Sequence, residues 1–135
     1  MGRRPGLGSP RIPICCVQPV NRPLGVSGEA LAEDHLRGLG YEIVDRDIRT
    51  PLGQLDLVVL DGKTLVFVEV KTRAGHGFGL PQEAVDARKI RKLRQLGLYY
   101  LKMRPHRGQV RFDVVGLTVS DGRLVRVDHI KNAID

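Results

Sequence analysis

The chain has 135 residues, with 22 Lys and Arg against 15 Asp and Glu, and 41% of it is hydrophobic. That length fits one domain, the composition excludes wholesale disorder, and no apolar stretch approaches the ~18 to 20 residues that a bilayer crossing needs. The two cysteines, Cys15 and Cys16, are adjacent, which gives neither a CxxC zinc spacing nor a disulfide framework and points to a reducing, cytoplasmic setting.

The first 24 residues carry four Arg, no acid and five of the eight prolines, and they show no helical or strand period. They read as a disordered leader, with a single domain over residues 25–135. Ser27 is an N-cap for a helix that ends near Gly40, with Glu29 and Glu33 in its first turns. Tyr41 to Ile48 reads as an edge strand, and Thr50-Pro51-Leu52-Gly53 as a turn. Leu55 to Leu60 and Thr64 to Lys71 read as strands joined by a two-residue Asp61-Gly62 loop. A glycine-rich loop over residues 74–79, with His76 and Phe78, leads to a helix from Gln82 to about Met103. Pro105 closes that helix. Val110 to Leu117 and Leu124 to Val127 are strands around the Asp121-Gly122 turn. The expected fold is therefore α/β.

Charge is unevenly spread. Residues 25–87 hold eleven acids and six bases, whereas residues 88–111 hold nine bases and no acid. Arg88, Lys89, Arg91, Lys92 and Arg94 are expected to face a polyanion, with Lys102, Arg104, Arg107 and Arg111 extending the surface. Six aromatics without a Trp argue against a single-strand stacking platform. The four histidines have no ligand spacing, and Asp113 and Arg111, two apart on one strand, read as a structural ion pair.

The segment Leu65-Val66-Phe67-Val68-Glu69-Val70-Lys71 is apolar enough to be a central strand buried on both faces. Glu69 and Lys71 share one face of it. A Leu60–Lys63 pair beside the Asp61-Gly62 loop puts Asp56 opposite Phe67 and Gln54 opposite Glu69. Asp56 and Glu69 are then diagonal neighbours, roughly 7–8 Å apart at the backbone. Two such carboxylates suit one hard divalent cation, Mg²⁺ or Mn²⁺. Lys71 stands ready to stabilise charge or orient a water. Glu29 falls about 20° from Leu36 on the helical wheel, so it can look inward at the sheet. Arg73, just past the acid strand, is placed for a phosphate.

The segments Gly28-Glu29, Gly40-Tyr41, Gly53-Gln54-Leu55-Asp56-Leu57, Val66-Phe67-Val68-Glu69-Val70-Lys71-Thr72-Arg73, Phe78-Gly79, Lys89, Arg111-Phe112-Asp113-Val114-Val115 and His129-Ile130-Lys131-Asn132-Ala133 resemble the YraN-type family over residues 25–133. That family is assigned to the restriction-endonuclease-like, PD-(D/E)xK superfamily and is similar to small Holliday-junction resolvases. The resemblance implies an αβββαβ core with a mixed central sheet flanked by helices. It implies Asp56 and Glu69 as metal ligands, with Glu29, Asp56, Glu69 and Lys71 as the catalytic set. Gln54 departs from the family, which usually has Glu there. The function so implied is metal-dependent hydrolysis of DNA phosphodiester bonds, at branched DNA in the resolvase-like case, where two symmetric sites would call for a homodimer. The alternative is a nucleic-acid-binding module that keeps the nuclease fold with little or no catalysis, and Gln54 is the residue that favours it.

Overall fold

A computed structural model of the chain describes residues 15–23, 28–74 and 87–133. The elements run β1 (Cys15–Pro23), α1 (Gly28–Gly38), β2 (Glu42–Thr50), β3 (Gly53–Asp61), β4 (Thr64–Ala74), α2 (Ala87–Met103), β5 (Val110–Ser120) and β6 (Arg123–Ile130). The strands form one six-stranded sheet in the order β1-β6-β5-β4-β3-β2. Only β4 and β5 run parallel; every other pair is antiparallel. From α1 onward this is the expected α/β core, with a mixed sheet and α2 as the crossover between its two parallel strands. Among the described residues no helix is long and apolar enough to cross a membrane. Ser27, the glycine-rich loop after Ala74 and residues 82–86 of the expected second helix lie outside the described residues.

β4 is apolar on both faces because both faces are covered. On one side Leu31, Ala32 and Leu36 of α1 pack over Leu57, Val59, Val66, Val68, Val115 and Leu117. On the other, Leu93, Leu96 and Tyr100 of α2 pack over Leu55, Val58, Leu65 and Phe67. Each fully buried Leu or Phe contributes about 1.5–3 kcal/mol. Phe67 anchors the second layer, with Tyr100 edge-on at 5.6 Å and Phe112 tilted at 5.1 Å. Gly97 makes that approach possible, since a Cβ there would sit 2.8 Å from the Phe112 ring and 3.1 Å from Phe67.

A buried polar network lies on the α1 side of the sheet. Asp113 and His129 are each 1% exposed. Arg111 grips both oxygens of Asp113, at 2.9 and 3.0 Å, and also reaches Asp61 at 3.0 Å and the Tyr41 hydroxyl at 3.1 Å. His129 Nε2 lies 2.9 Å from Asp113, and His129 Nδ1 lies 3.3 Å from His35 Nε2 on α1. These contacts tie α1 to β5 and β6 through two rings. Burial, then the neighbouring His129, pushes His35 down to about 4. Burial alone would raise Asp113, but the bonds from His129 and Arg111 prevail and hold it below the usual carboxylate range. The expected Arg111–Asp113 ion pair is thus confirmed. Arg111, which the sequence set at the margin of the basic surface, has its guanidinium engaged by Asp113, Asp61 and Tyr41.

Two expectations are corrected. Cys15–Pro23, read as part of a disordered leader, is an edge strand paired with β6 from Cys15–Ile130 to Pro23–Arg123. Pro19 and Pro23 erase the periodicity by which a strand is recognised, yet proline is tolerated on an edge, where one row of donors needs no partner. The pairing shifts between Pro19 and Arg22. The second correction is the β3–β4 loop. Asp61 pairs with Thr64 and Leu60 with Leu65, so the two-residue loop is Gly62-Lys63. Gly62 takes φ 64° while Lys63 does not turn left-handed, the pattern of a II′ turn with glycine first. Asp61 stays in the strand, where Arg111 and, at 3.9 Å, Lys131 hold it.

The edge strand generates a test. Removing residues 1–23 uncovers the β6 edge and several ladder bonds worth about 1 kcal/mol each. A chain starting at Leu24 is expected to melt at least about 5 °C below the full chain in a thermal scan. An unchanged melting temperature would show that β1 adds nothing to the fold.

Candidate active site

The site forms where β3 and β4 part. Their regular pairing runs from Asp61–Thr64 to Leu57–Val68. One residue further, Asp56 does not continue the ladder: its carboxylate accepts a hydrogen bond from the Val70 amide at 2.8 Å. β3 also changes face here. Leu55 and Leu57 are two apart, yet Leu57 belongs to the core under α1 and Leu55 to the core under α2. The facing strand keeps its register at this level but carries a backbone irregularity. Between the pairs Arg46–Leu57 and Ile48–Leu55 lies Asp47, a non-glycine residue at φ 53°. Asp56 therefore sits at the pivot of a twisted strand pair.

This geometry revises the register expected from the sequence. The actual loop shifts the β3–β4 pairing by two residues, and a shift of two preserves the face where a shift of one would reverse it. Asp56 is thus one step beyond the Leu57–Val68 pair, where the regular ladder has ended, and its carboxylate meets the Val70 amide. Its position comes from the broken ladder, which strict alternation does not anticipate.

Glu69 and Lys71 share a face of β4 as expected, with Lys71 Nζ 3.9 Å from Glu69 Oε2. A closer partner comes from α2. Lys89 Nζ lies 2.8 Å from the same oxygen, and the Glu69 side chain is only 12% exposed. Burial works against the Lys89 charge, but the hydrogen bond and charge of Glu69 outweigh it and raise its affinity for the proton. Asp56 is affected in the opposite sense to an ordinary surface acid. Burial is the main cause, the Val70 hydrogen bond opposes it, and the charges of Glu69 and Glu29 add to it, so Asp56 is pushed up to about 6. Those interactions bring Asp56, Glu69, Glu29 and Lys89 into one electrostatic neighbourhood.

A cleft of about 430 Å³ opens beside this group, lined by Gln54, Glu69, Lys71, Arg88, Lys89 and Lys92 with Leu93 and Leu96 behind. Of the five basic residues expected on the helix face, Arg88, Lys89 and Lys92 reach it. Arg91 is exposed on the helix surface, and Arg94 lines a second cleft on the opposite side of α2 with Phe112 and Leu98. Arg73 is half-buried at the far end of β4. Gln54 donates from its amide to Asp47. The sequence placed Lys89 among phosphate contacts; its approach to Glu69 was invisible there, because it depends on how α2 crosses β4.

The donors suit a hard divalent cation in kind. Two carboxylates share a partly desolvated space, and one of them already holds an ammonium at 2.8 Å. In number they are sparse. Among the described residues no three His, Cys, Asp or Glu side chains gather closely enough to hold an ion. Glu29 is therefore felt by Asp56 as charge without forming a third member of a ligand cluster.

Residues 28–117 match the model of the uncharacterised protein family UPF0102. A UPF0102 protein of Syntrophomonas wolfei is 46% identical over 115 residues, covering 84% of this chain and 99% of that one. A UPF0102 protein of Frankia casuarinae is 47% identical over 111 residues, covering 82% and 94%. One of Geobacter sulfurreducens is 44% identical over 116 residues, covering 85% and 91%.

The raised Asp56 has a consequence for stability. Its folded value of about 6 exceeds the unfolded 3.8, so its contribution is intact below pH 3.8 and is lost as pH rises through 6. Asp56→Asn keeps an acceptor for Val70 and removes the charge. In metal-free buffer the variant should match the parent near pH 4 and exceed it by roughly 1 kcal/mol above pH 7, a figure reduced from the full shift because the group is partly solvated. Urea titrations at the two pH values measure the difference, and a variant less stable at both would refute the cost of burying the Asp56 charge.

Proposed function

The chain belongs to the YraN-type family UPF0102, and we propose that it is a divalent-metal-dependent nuclease acting on DNA. The observation that carries the reading is the juxtaposition of Asp56, Glu69 and Lys71 at the parting of β3 and β4, beside a cleft walled by Arg88 and Lys92. Asp56 and Glu69 are the residues to hold Mg²⁺ or Mn²⁺. When bound, such an ion neutralises charge at a phosphodiester and lowers the pKa of a bound water. The Val70 amide fixes the Asp56 carboxylate, so that ligand needs little reorganisation. Lys71 presents an ammonium on the same face as Glu69, placed to orient a water or offset charge on the phosphate. Arg88 and Lys92, one helical turn apart, align a backbone of phosphates along α2. Glu29 adds negative charge behind Asp56 and serves through water. Branched DNA is the substrate that the resolvase resemblance adds, with a homodimer as the form that cleaves it.

A second reading has its own observation. Gln54 lines the cleft, where a carboxylate would strengthen cation binding, and its amide is turned to Asp47. A nucleic-acid-binding module with weak catalysis follows if two carboxylates hold the ion too loosely.

Labelled duplex, flap and four-way-junction DNAs incubated with Mg²⁺ or Mn²⁺ separate the two. The nuclease reading expects cleavage by the native chain and its loss, with binding retained, in Glu69→Gln. Binding without cleavage in the native chain would leave only the second reading.

Salt dependence tests the cleft itself. With Arg88, Lys92 and one or two further cations meeting phosphates, log K should fall against log salt with a slope of about −3 to −4. Replacing Arg88 and Lys92 by Gln should flatten the slope by about 2 and leave the melting temperature unchanged. An unaltered slope would move the contact surface elsewhere.

A further inference from the structure

The acid site already contains a cation of its own. Lys89 Nζ is 2.8 Å from Glu69 Oε2, against 3.9 Å for Lys71. Lys89 therefore makes the tighter bond, although Lys71 is the lysine the strand itself supplies. The Lys89 side chain is 32% exposed, so its stem is sheltered while the ammonium lies in the cleft. It comes from the first turn of α2, and that helix is pinned over β4 by Leu93 and Leu96 against Phe67. The helix position thus dictates where this ammonium can reach: Glu69 on one side, the cleft wall of Arg88 and Lys92 on the other.

We propose that Lys89 is a resident counter-ion that occupies the cation position of the acid pair and yields it to the divalent ion. Resting on the nuclease reading, the proposal assigns Lys89 two successive partners. Without metal it neutralises Glu69 and damps the repulsion between Glu69 and Asp56. An ion drawn to Asp56 and Glu69 competes for the same oxygen, so the ammonium is released. Arg88 and Lys92 already make its alternative surroundings positive, so the released group rests there only when an anion is present. A phosphate of the bound strand is that anion. Metal and nucleic acid then favour each other's binding, because each stabilises the position of Lys89 that the other needs.

This differs from a plain phosphate contact in what its loss does to the metal. Lys89→Met preserves the stem and the helix propensity and removes the charge. In the full chain without DNA, Mn²⁺ binding counted by electron paramagnetic resonance of the free ion should tighten by about fivefold, the ceiling expected from one part-exposed ion pair. The metal-free variant should melt below the parent, and saturating Mn²⁺ should close that gap. Lys89→Arg, which restores a cation, should return the affinity toward the parent. Adding a short duplex should tighten Mn²⁺ binding by the native chain more than by Lys89→Met. Unchanged or weaker Mn²⁺ binding in Lys89→Met, with binding still abolished by Glu69→Gln, would overturn the counter-ion role and leave the metal site standing. No Mn²⁺ binding by the native chain and by Lys89→Met alike would overturn the metal reading, and this inference with it.

Discussion

Two carboxylates cannot share a partly desolvated space without a cation, and the organisation of this protein around β4 follows from that constraint. Glu69 rises from a strand buried on both faces and is itself nearly buried. Asp56 is held beside it by the Val70 amide. Like charges in such a space repel, and even about 1 kcal/mol is an appreciable share of the stability of a small domain. The structure meets the problem in two ways. Lys89 and Lys71 bring positive charge to Glu69, and Asp56 has an affinity for the proton well above that of an ordinary aspartate. In the proposed function a divalent ion would meet the same need.

The fold supplies the positions at little cost. β4 needs both helical layers for its apolar residues, and the β4–α2–β5 crossover places α2 across the face of the strand from which Glu69 emerges. The same packing that buries Leu93 and Leu96 aims Arg88, Lys89 and Lys92 into the cleft. On the α1 side of the sheet, Arg111, Asp113, His129 and His35 join β5, β6 and α1 through hydrogen bonds. That network keeps α1 in place, and α1 carries Glu29. A buried ion pair of this kind adds little net stability over an apolar filling, but breaking one member leaves an uncompensated charge. It acts as a fixed joint between layers.

Much of this was legible in the sequence. The apolar run through Glu69, the helix periods and the two glycine turns gave the order of elements from α1 to β6. The pairing of Glu69 with Lys71 followed from strand alternation alone. Three features were not legible, each for a physical reason. β1 was hidden because its prolines imitate a linker, and only the availability of an edge on β6 makes them tolerable in a strand. The register of β3 and β4 was misjudged by two residues because Asp61-Gly62 and Gly62-Lys63 are both plausible loops, and the choice depends on Arg111, fifty residues away, holding Asp61 in the strand. The contact between Lys89 and Glu69 was beyond sequence reading because a basic helix face looks the same whether it meets solvent or an acid. Arg111 shows the converse: it was counted with the basic surface and proved to be held by Asp113 and Asp61.

The central claim is that Asp56 and Glu69 form one cation site. A crystal grown with Mn²⁺ and measured at an energy where manganese scatters anomalously tests it most directly. The account predicts a peak bound by carboxylate oxygens of both residues, at about 2.1 to 2.4 Å as for hard divalent cations, with the Lys89 ammonium no longer within hydrogen-bond reach of Glu69. Manganese bound elsewhere on the protein, with Lys89 still on Glu69, would contradict it.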